Sequence, residues 1–369
     1  MDRAPDATRP DASDAMTPAR PAALGRTVVS IQFLRFFAAF AVVLFHAHQA
    51  LSRGIADHPA ALAYLFGVGA SGVHVFFCIS GFVMIYTSFC HDAGPFTPGD
   101  FLLKRVLRIY PIYWLCAAAY VLFHLAANSP YVLGPVEVLG ALLLVPDHAA
   151  AIIGPAWTLA FEMYFYLCFC VFMLAGLRIG LIAMSAFFSV FIALGAALPQ
   201  LALPPVMTNS LLMEFVAGAW LGWLAIVRPA VLARWWPVTL LAGTIGFAVA
   251  YATGYARFPS AFAWGVPSLL LLAGFVGLEA SGRLPRAFAS LAFLGDGSYF
   301  LYLSHILLID VALLTPLTRL RESTGGVVAA TVVVAIVCTL LSIVAYARLE
   351  RPMLRRLRRL FRRTQAVVD

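Results

Sequence analysis

The sequence predicts an all-α polytopic membrane protein with about ten transmembrane helices and both termini in the cytoplasm. The first reason is composition, because 62% of the 369 residues are hydrophobic, 11% are charged and the mean hydropathy is +0.91. The second is a series of apolar segments of about 20 residues, the length that crosses a bilayer. The third is the distribution of arginine and lysine between those segments.

Apolar segments of this length occur at ten positions in the chain. They are residues 28–50, 68–89, 108–127, 155–176, 179–198, 207–227, 236–255, 262–280, 293–315 and 326–347. One further apolar stretch, residues 131–145, is bounded by prolines and contains Glu137. It is either an eleventh span or a shorter element packed on the outer side.

Positive charge favours ten spans. If residues 131–145 do not cross the membrane, many basic residues lie on the same side of it as the two termini. They are Lys104, Arg105, Arg108, Arg178, Arg228, Arg234, Arg283, Arg286 and those of the C-terminal tail. The opposite side then carries only Arg53, Arg257, Arg319 and Arg321. Cytoplasmic loops are enriched in lysine and arginine, so this count predicts a multi-pass protein with both termini inside.

Composition divides the chain into three parts. Residues 1–26 are rich in Ala, Pro, Asp and Arg and are predicted to be a disordered cytoplasmic leader, residues 27–350 form the transmembrane domain, and residues 351–369 are a basic cytoplasmic tail. Anionic lipid headgroups and topology account for the net charge of +8, so the predicted partner is the lipid bilayer and not nucleic acid. The six cysteines lack metal-binding spacing, and no metal is predicted.

Two ionisable side chains in the first apolar segment point to function. Arg35 and His46 are eleven residues apart and therefore share one helix face, about 16 Å apart along the axis. Ionisable groups inside a membrane are costly and are usually functional. An imidazole is well suited to accept a proton from a hydroxyl group. The alternative is an interfacial histidine that only hydrogen-bonds a neighbour.

A carboxylate lies in the aromatic segment PAWTLAFEMYFY, residues 155–166. Glu162 is surrounded there by aromatic residues, including Trp157, and should face the bundle interior. By span counting it lies at the same depth as His46, so it could orient that histidine, stabilise its protonated form or bind a sugar hydroxyl. The alternative is a packing ion pair with an arginine.

Arg105 and Arg108 lie in FLLKRVLRIYPIYW, residues 101–114. They are three residues apart and share a helix face. Guanidinium groups bind phosphates in a bidentate manner, which suits a nucleotide-bearing cytoplasmic donor. Taken alone, the pair is also typical of an ordinary positive-inside anchor.

Two later stretches carry candidate pocket residues. In GDGSYFLYLSHILLID, residues 295–310, Tyr302 and His305 share one helix face. They either line a tunnel or form hydrogen bonds between helices. His74 and Ser80, in the glycine-rich stretch 67–86, are possible pocket residues, whereas Glu214 is interpreted as structural.

These stretches, in this order, resemble the membrane-bound acyltransferase type 3 family, which includes O-acetyltransferases and exopolysaccharide acyltransferases. The matching motifs are LRFFAAFAVVLFHA, GVHVFFCISGFVM, KRVLRIYPIYW, WTLAFEMYFY, GSYFLYLSH and ARLERPM. The resemblance covers roughly residues 28–355. The chain departs from it at Phe36, where a small residue is common, at Lys104, which replaces an arginine, and in lacking a proline after His305.

The resemblance implies a multi-pass protein of the inner (plasma) membrane that transfers a small acyl group, with acetyl expected, from acyl-CoA to a hydroxyl of a glycan or related acceptor. His46 and Glu162 are the implied catalytic residues, and Trp157, Tyr302 and His305 are assigned to the substrate pocket. The implied acyl-CoA-binding residues are Arg35, Arg105 and Arg108. Transfer is either direct or through an acylated protein group. The motifs specify neither the acceptor nor the oligomeric state.

Two other functions fit the buried charges. A transporter or flippase for a lipid-linked sugar would use the same residues to line a pathway and would leave its substrate chemically unchanged. A noncatalytic scaffold would tolerate replacement of Arg35, His46 and Glu162.

Overall fold

The computed structural model describes residues 24–25, 27–55, 59–90, 95–129, 133–357 and 359. Most of the predicted leader and the end of the basic tail lie outside these ranges. Every regular element within them is helical. The α-helices are α1 (Val29–Ser52), α2 (Ala60–Gly67), α3 (Gly72–Phe89), α4 (Pro98–Ala126), α5 (Pro135–Leu142), α6 (Trp157–Met173), α7 (Leu177–Ala197), α8 (Pro205–Thr208), α9 (Leu211–Val227), α10 (Pro229–Thr253), α11 (Val266–Ala280), α12 (Arg286–Asp296), α13 (Ser298–Leu313) and α14 (Thr324–Ala345).

The all-α polytopic fold is confirmed. In the described part of the chain, 8 continuous helices are long and apolar enough to span a membrane. The pair α12 and α13, bent by 57°, forms a ninth candidate. The shorter apolar helix α9 has 17 residues and measures about 25 Å. Each of the ten predicted apolar segments therefore contains a helix.

Of residues 131–145, the structure describes 133–145, and the regular element within that range is the 8-residue helix α5. Its length of about 12 Å is less than half the hydrocarbon thickness, so α5 does not cross a bilayer. Its C-terminal carbonyls accept hydrogen bonds from side chains midway along α4: Tyr113 Oη donates to Ala141 at 2.8 Å and Trp114 Nε1 to Leu142 at 2.9 Å. The segment is therefore held against the bundle without spanning it.

Helices α3 and α9 pack closely through glycines. A Cβ atom on Gly81 would collide with the carbonyl of Phe215, and one on Gly218 would collide with the carbonyl of Cys78. The missing side chains let the two backbones approach, as is common where membrane helices associate without a hydrophobic driving force. This contact holds the functional part of α3 in place.

Helix α1 contacts α3, α11, α12, α13 and α14. Its first turn begins with free backbone N–H groups, and the Glu279 carboxylate of α11 accepts from two of them. The distances are 2.9 Å to Val29 N and 2.7 Å to Ser30 N. A carboxylate at this end also interacts favourably with the helix dipole. Glu279 therefore anchors the helix that carries Arg35 and His46.

Replacing Glu279 with alanine is expected to destabilise the protein by about 2 kcal/mol, because two backbone donors lose a charged acceptor. Unfolding in detergent micelles measures this loss. Glu322→Ala, at an exposed residue of the turn Pro316–Glu322, is the matched control and should leave stability unchanged. Equal stability of the two variants would show that the carboxylate contributes nothing to anchoring α1.

Candidate active site

A cavity of about 120 Å³ lies between α1, α3, α4, α6 and α13. We call it the arginine chamber, because three guanidinium groups line it. Its polar and charged lining residues are Arg35, Ser80, Arg105, Arg108, Thr158, Glu162, Tyr166, Tyr299 and Tyr302. The structure thus brings together the three arginines and the glutamate that the sequence singled out.

Arg105 is held by aromatic rings. Its guanidinium carbon lies 5.1 Å from the ring centre of Phe101 and 5.7 Å from that of Tyr166. One terminal nitrogen is 3.4 Å from the Thr87 hydroxyl. The buried Nε has no hydrogen-bond partner among the described residues. The rings fix the guanidinium in the lining of the arginine chamber.

Glu162 belongs to the arginine chamber. The Ser80 hydroxyl donates to its Oε1 at 2.8 Å, and the Tyr166 hydroxyl donates to the same oxygen. The structure shows no hydrogen bond between Glu162 and His46, whose Nδ1 lies 2.9 Å from Nε2 of His305. Span counting placed Glu162 and His46 at one depth, whereas side-chain direction and packing put them in different cavities.

The arginine chamber carries excess positive charge. Arg35, Arg105 and Arg108 face one lining carboxylate. The ion pairs within 4.0 Å that the described residues form, His74 with Glu214 and His124 with Asp310, involve none of these arginines. The buried Glu350 carboxylate also lies near Arg35 and Arg108. Three guanidinium groups that line one cavity with a single carboxylate favour an anionic ligand, with phosphate and carboxylate as the best geometric matches.

A second, larger cavity of about 580 Å³ adjoins the first. We call it the histidine chamber. Its polar lining consists of His46, His74, Tyr120, Trp157, Ser260 and Tyr302, and its described lining includes no Lys, Arg, Asp or Glu. Val73 and Tyr302 line both chambers, so the two cavities meet at these residues.

The His46 imidazole is held by a second imidazole. His46 Nδ1 lies 2.9 Å from Nε2 of the buried His305, whose own Nδ1 lies 3.3 Å from the Leu301 carbonyl oxygen. A carbonyl oxygen only accepts, so Nδ1 of His305 carries a proton and, in the neutral ring, Nε2 accepts. His46 Nδ1–H then donates to His305. The lone pair of a neutral His46 is therefore on Nε2, the nitrogen available to the chamber.

The residues assigned to the substrate pocket have three different positions. Trp157 lines the histidine chamber, and Tyr302 lies where the chambers meet. The Tyr302 hydroxyl is 2.9 Å from that of Thr158. His305 is fully buried, lines neither chamber and contacts His46.

The sequence interpretation missed Tyr166 and Ser80 as partners of Glu162. Tyr166 follows Glu162 by four residues, and this helical spacing could have identified it. Ser80 and Glu162 are 82 residues apart, and no local pattern links them. The described residues contain no group of three or more His, Cys, Asp or Glu side chains suited to a metal ion.

The family model for the type 3 acyltransferases, described as "Acyltransferase domain", matches residues 28–347. The chain belongs to this acyltransferase family. It is therefore a multi-pass membrane acyltransferase that transfers groups other than amino-acyl groups. The comparisons give no support to a transporter or flippase.

Two curated relatives have acyltransferase-family sequences similar to this one. The exopolysaccharide production protein ExoZ of Rhizobium meliloti (strain 1021) is 34% identical over 305 residues, which are 79% of this chain and 91% of ExoZ. The acyltransferase MdmB of Streptomyces mycarofaciens is 28% identical over 320 residues, 76% of this chain and 78% of MdmB. No solved structure matches this acyltransferase significantly.

Proposed function

We propose that this acyltransferase moves an acetyl group from acetyl-CoA to a hydroxyl group of a glycan. One observation carries the proposal: a cavity lined by three arginines shares Val73 and Tyr302 with a cavity that has no Lys, Arg, Asp or Glu in its described lining and contains a hydrogen-bonded imidazole. The first cavity suits a phosphate-bearing donor. The second suits a neutral acceptor that must lose a proton.

The donor side rests on Arg35, Arg105 and Arg108. CoA carries phosphate groups and a thioester at opposite ends of an extended molecule. The three guanidinium groups that line the arginine chamber would bind the phosphates. The thioester would then extend towards Tyr302, where the arginine chamber meets the histidine chamber.

The acceptor side rests on the lining of the histidine chamber. Trp157, Tyr120 and Tyr302 contribute aromatic rings to this lining, and the described lining has no charged Lys, Arg, Asp or Glu side chain. Flat aromatic rings with polar edges suit the mixed apolar and hydroxyl surface of a sugar. The name of ExoZ, an exopolysaccharide production protein, agrees with a glycan acceptor.

His46 would act as the general base. Its Nε2 takes the proton of the acceptor hydroxyl, and the oxygen attacks the thioester carbonyl to form the new C–O bond. The C–S bond then breaks, and the sulfur receives the proton from His46 to leave as CoA thiol. Glu162 would act from the arginine chamber by fixing Tyr166 and Ser80 beside the guanidinium groups.

We further propose the inner membrane as the location, with both chain termini in the cytoplasm. The excess of lysine and arginine on the side of the termini supports this orientation. Arg35, Arg105 and Arg108 lie near the helix ends on that side, where cytoplasmic acetyl-CoA would arrive. His46 lies towards the opposite end of α1, where an extracytoplasmic glycan would arrive.

Removing the His305 side chain tests the hydrogen bond to His46. His305→Ala is expected to lower kcat roughly 10²-fold, because His46 loses the partner that fixes its tautomer. The KM for acetyl-CoA and the KM for the glycan should change little. His305→Gln should recover part of kcat, since the amide oxygen can accept from His46 Nδ1. Steady-state kinetics measure both. Identical kcat in the alanine and glutamine variants would refute the tautomer role.

The proposed activity is tested with purified protein, carbon-14-labelled acetyl-CoA and a de-acetylated exopolysaccharide. Label should pass to the polysaccharide and an equal amount of CoA thiol should appear. A transporter would move a lipid-linked sugar and leave the label on CoA, and a scaffold would do neither. Folded protein that transfers no label to any hydroxyl acceptor would overturn the proposed function.

A further inference from the structure

A second imidazole in the histidine chamber is held by a carboxylate. His74 of α3 lines this chamber with His46. Its Nδ1 lies 2.6 Å from Oε1 of Glu214 on α9, and both residues are buried. A carboxylate that accepts from Nδ1–H fixes the ring and its tautomer. Nε2 is then the ring nitrogen that can meet a ligand in the chamber.

Helix packing does not require this pair. Helices α3 and α9 already approach through Gly81 and Gly218. A buried carboxylate and imidazole lose solvation, so the pair adds little stability compared with well-packed apolar residues. The second oxygen of Glu214, Oε2, is buried and has no hydrogen-bond partner among the described residues. A polar group retained at such cost points to a function.

The backbone beside Glu214 makes room for its carboxylate. Gly265 ends a π-helical turn, Ala261–Gly265, and a Cβ atom on it would lie 2.5 Å from Glu214 Oε1. π-helical turns within helices are frequent at functional sites. Ser260, which directly precedes the turn, lines the histidine chamber. Helix α3, helix α9 and the π-helical turn therefore meet where His74 lines the histidine chamber.

We propose that His74 binds the acceptor through a second hydroxyl, while His46 acts on the reacting hydroxyl. Glu214 is a positioning residue that holds the His74 ring. The two imidazoles occupy one chamber, so an acceptor with several hydroxyl groups is held at two points and a single alcohol at one. This inference rests on the proposed acyl transfer and identifies the acceptor class as polyhydroxylated.

The test compares methyl β-glucoside with cyclohexanol, a ring of similar size with one hydroxyl. Wild-type protein and acetyl-CoA should give a kcat/KM at least about 10-fold higher for the glucoside, the effect of one well-formed hydrogen bond. His74→Ala should abolish this preference by raising the KM for the glucoside. Acetyl-CoA hydrolysis without acceptor should remain within about two-fold of wild type, since His46 is untouched.

Two further variants separate binding from folding. His74→Gln should keep part of the preference, because its amide reaches a position close to Nε2, and Glu214→Ala should lose most of it. His124→Gln is the matched control, since His124 pairs with Asp310 and lines neither chamber. It should leave the preference unchanged.

The outcomes are distinguishable. Wild-type protein that hydrolyses acetyl-CoA but shows no preference for the glucoside overturns the role of His74. The role of His74 is also overturned if His74→Ala lowers acetyl-CoA hydrolysis, transfer to the glucoside and transfer to cyclohexanol in equal proportion. Such a uniform loss would indicate that His74 is a structural residue. Failure of the wild type to use acetyl-CoA at all would instead contradict the proposed acyl transfer.

Discussion

Replacing His46 with alanine is expected to lower acyl transfer by about 10³-fold, the usual contribution of a positioned general base. The KM for acetyl-CoA should stay near that of the wild type, because His46 lines the histidine chamber and the arginines line the other. Initial rates of CoA release with saturating glycan measure the effect. The loss should appear in kcat, since the proton moves only in the chemical step.

His124→Ala provides the control for this experiment. It removes an imidazole that pairs with Asp310 at 3.6 Å, outside both chambers. Its transfer rate should remain close to that of the wild type. If His46→Ala, folded as well as this control, retained wild-type transfer, His46 would not be the base.

The double variant Arg105→Gln/Arg108→Gln is expected to raise the KM for acetyl-CoA by about 100-fold. Each substitution removes charged hydrogen bonds to the donor phosphates and leaves a shorter, uncharged polar side chain. Acetyl-pantetheine has the same thioester but no nucleotide, so its KM should be nearly unaffected. Lysine at both positions should restore only part of the affinity, because an ammonium group cannot bind phosphate with two parallel hydrogen bonds.

Arg234→Gln is the control for the arginine variants. Arg234 lies on α10, with its guanidinium 5.9 Å from the ring centre of Trp235, and lines neither chamber. Its donor KM should equal that of the wild type. An unchanged KM for acetyl-CoA in the double variant, or an equal rise for acetyl-pantetheine, would rule out phosphate binding by Arg105 and Arg108.

The positions of the apolar helices along the chain followed from the sequence, because a bilayer imposes a minimum apolar length on every span. Their boundaries did not follow. Helix α4 begins at Pro98, ten residues before the apolar segment expected from residue 108. Lys104 and Arg105 lower the hydropathy of its first turns without ending the helix. Hydropathy therefore marks the lipid-facing length of a helix, whereas hydrogen bonding sets its ends.

Part of the candidate site was accessible from local spacing. Arg105 and Arg108, three residues apart, both line the arginine chamber. The spacing of Arg35 and His46 put them on one face, and the structure places them in adjoining chambers along α1. Helical periodicity fixes such relations within a single helix.

The pairs formed between helices were not accessible from spacing. His46 and His305 are 259 residues apart, and His74 and Glu214 are 140 apart. Each pair depends on which helices are neighbours and how each is rotated, and one-dimensional periodicity contains neither quantity. The expected contact between Glu162 and His46 failed for this reason: equal depth in the membrane does not place two side chains in the same cavity.

Sided transfer in proteoliposomes tests most directly the claim that donor and acceptor enter from opposite faces. The protein is inserted in one orientation, established by labelling its C-terminus, with labelled acetyl-CoA on one side and glycan on the other. Acetylated glycan should form when acetyl-CoA is on the side of the chain termini and glycan is on the opposite side. Transfer that occurs only in the reverse arrangement, or only when both substrates share one side, would contradict the two-chamber account.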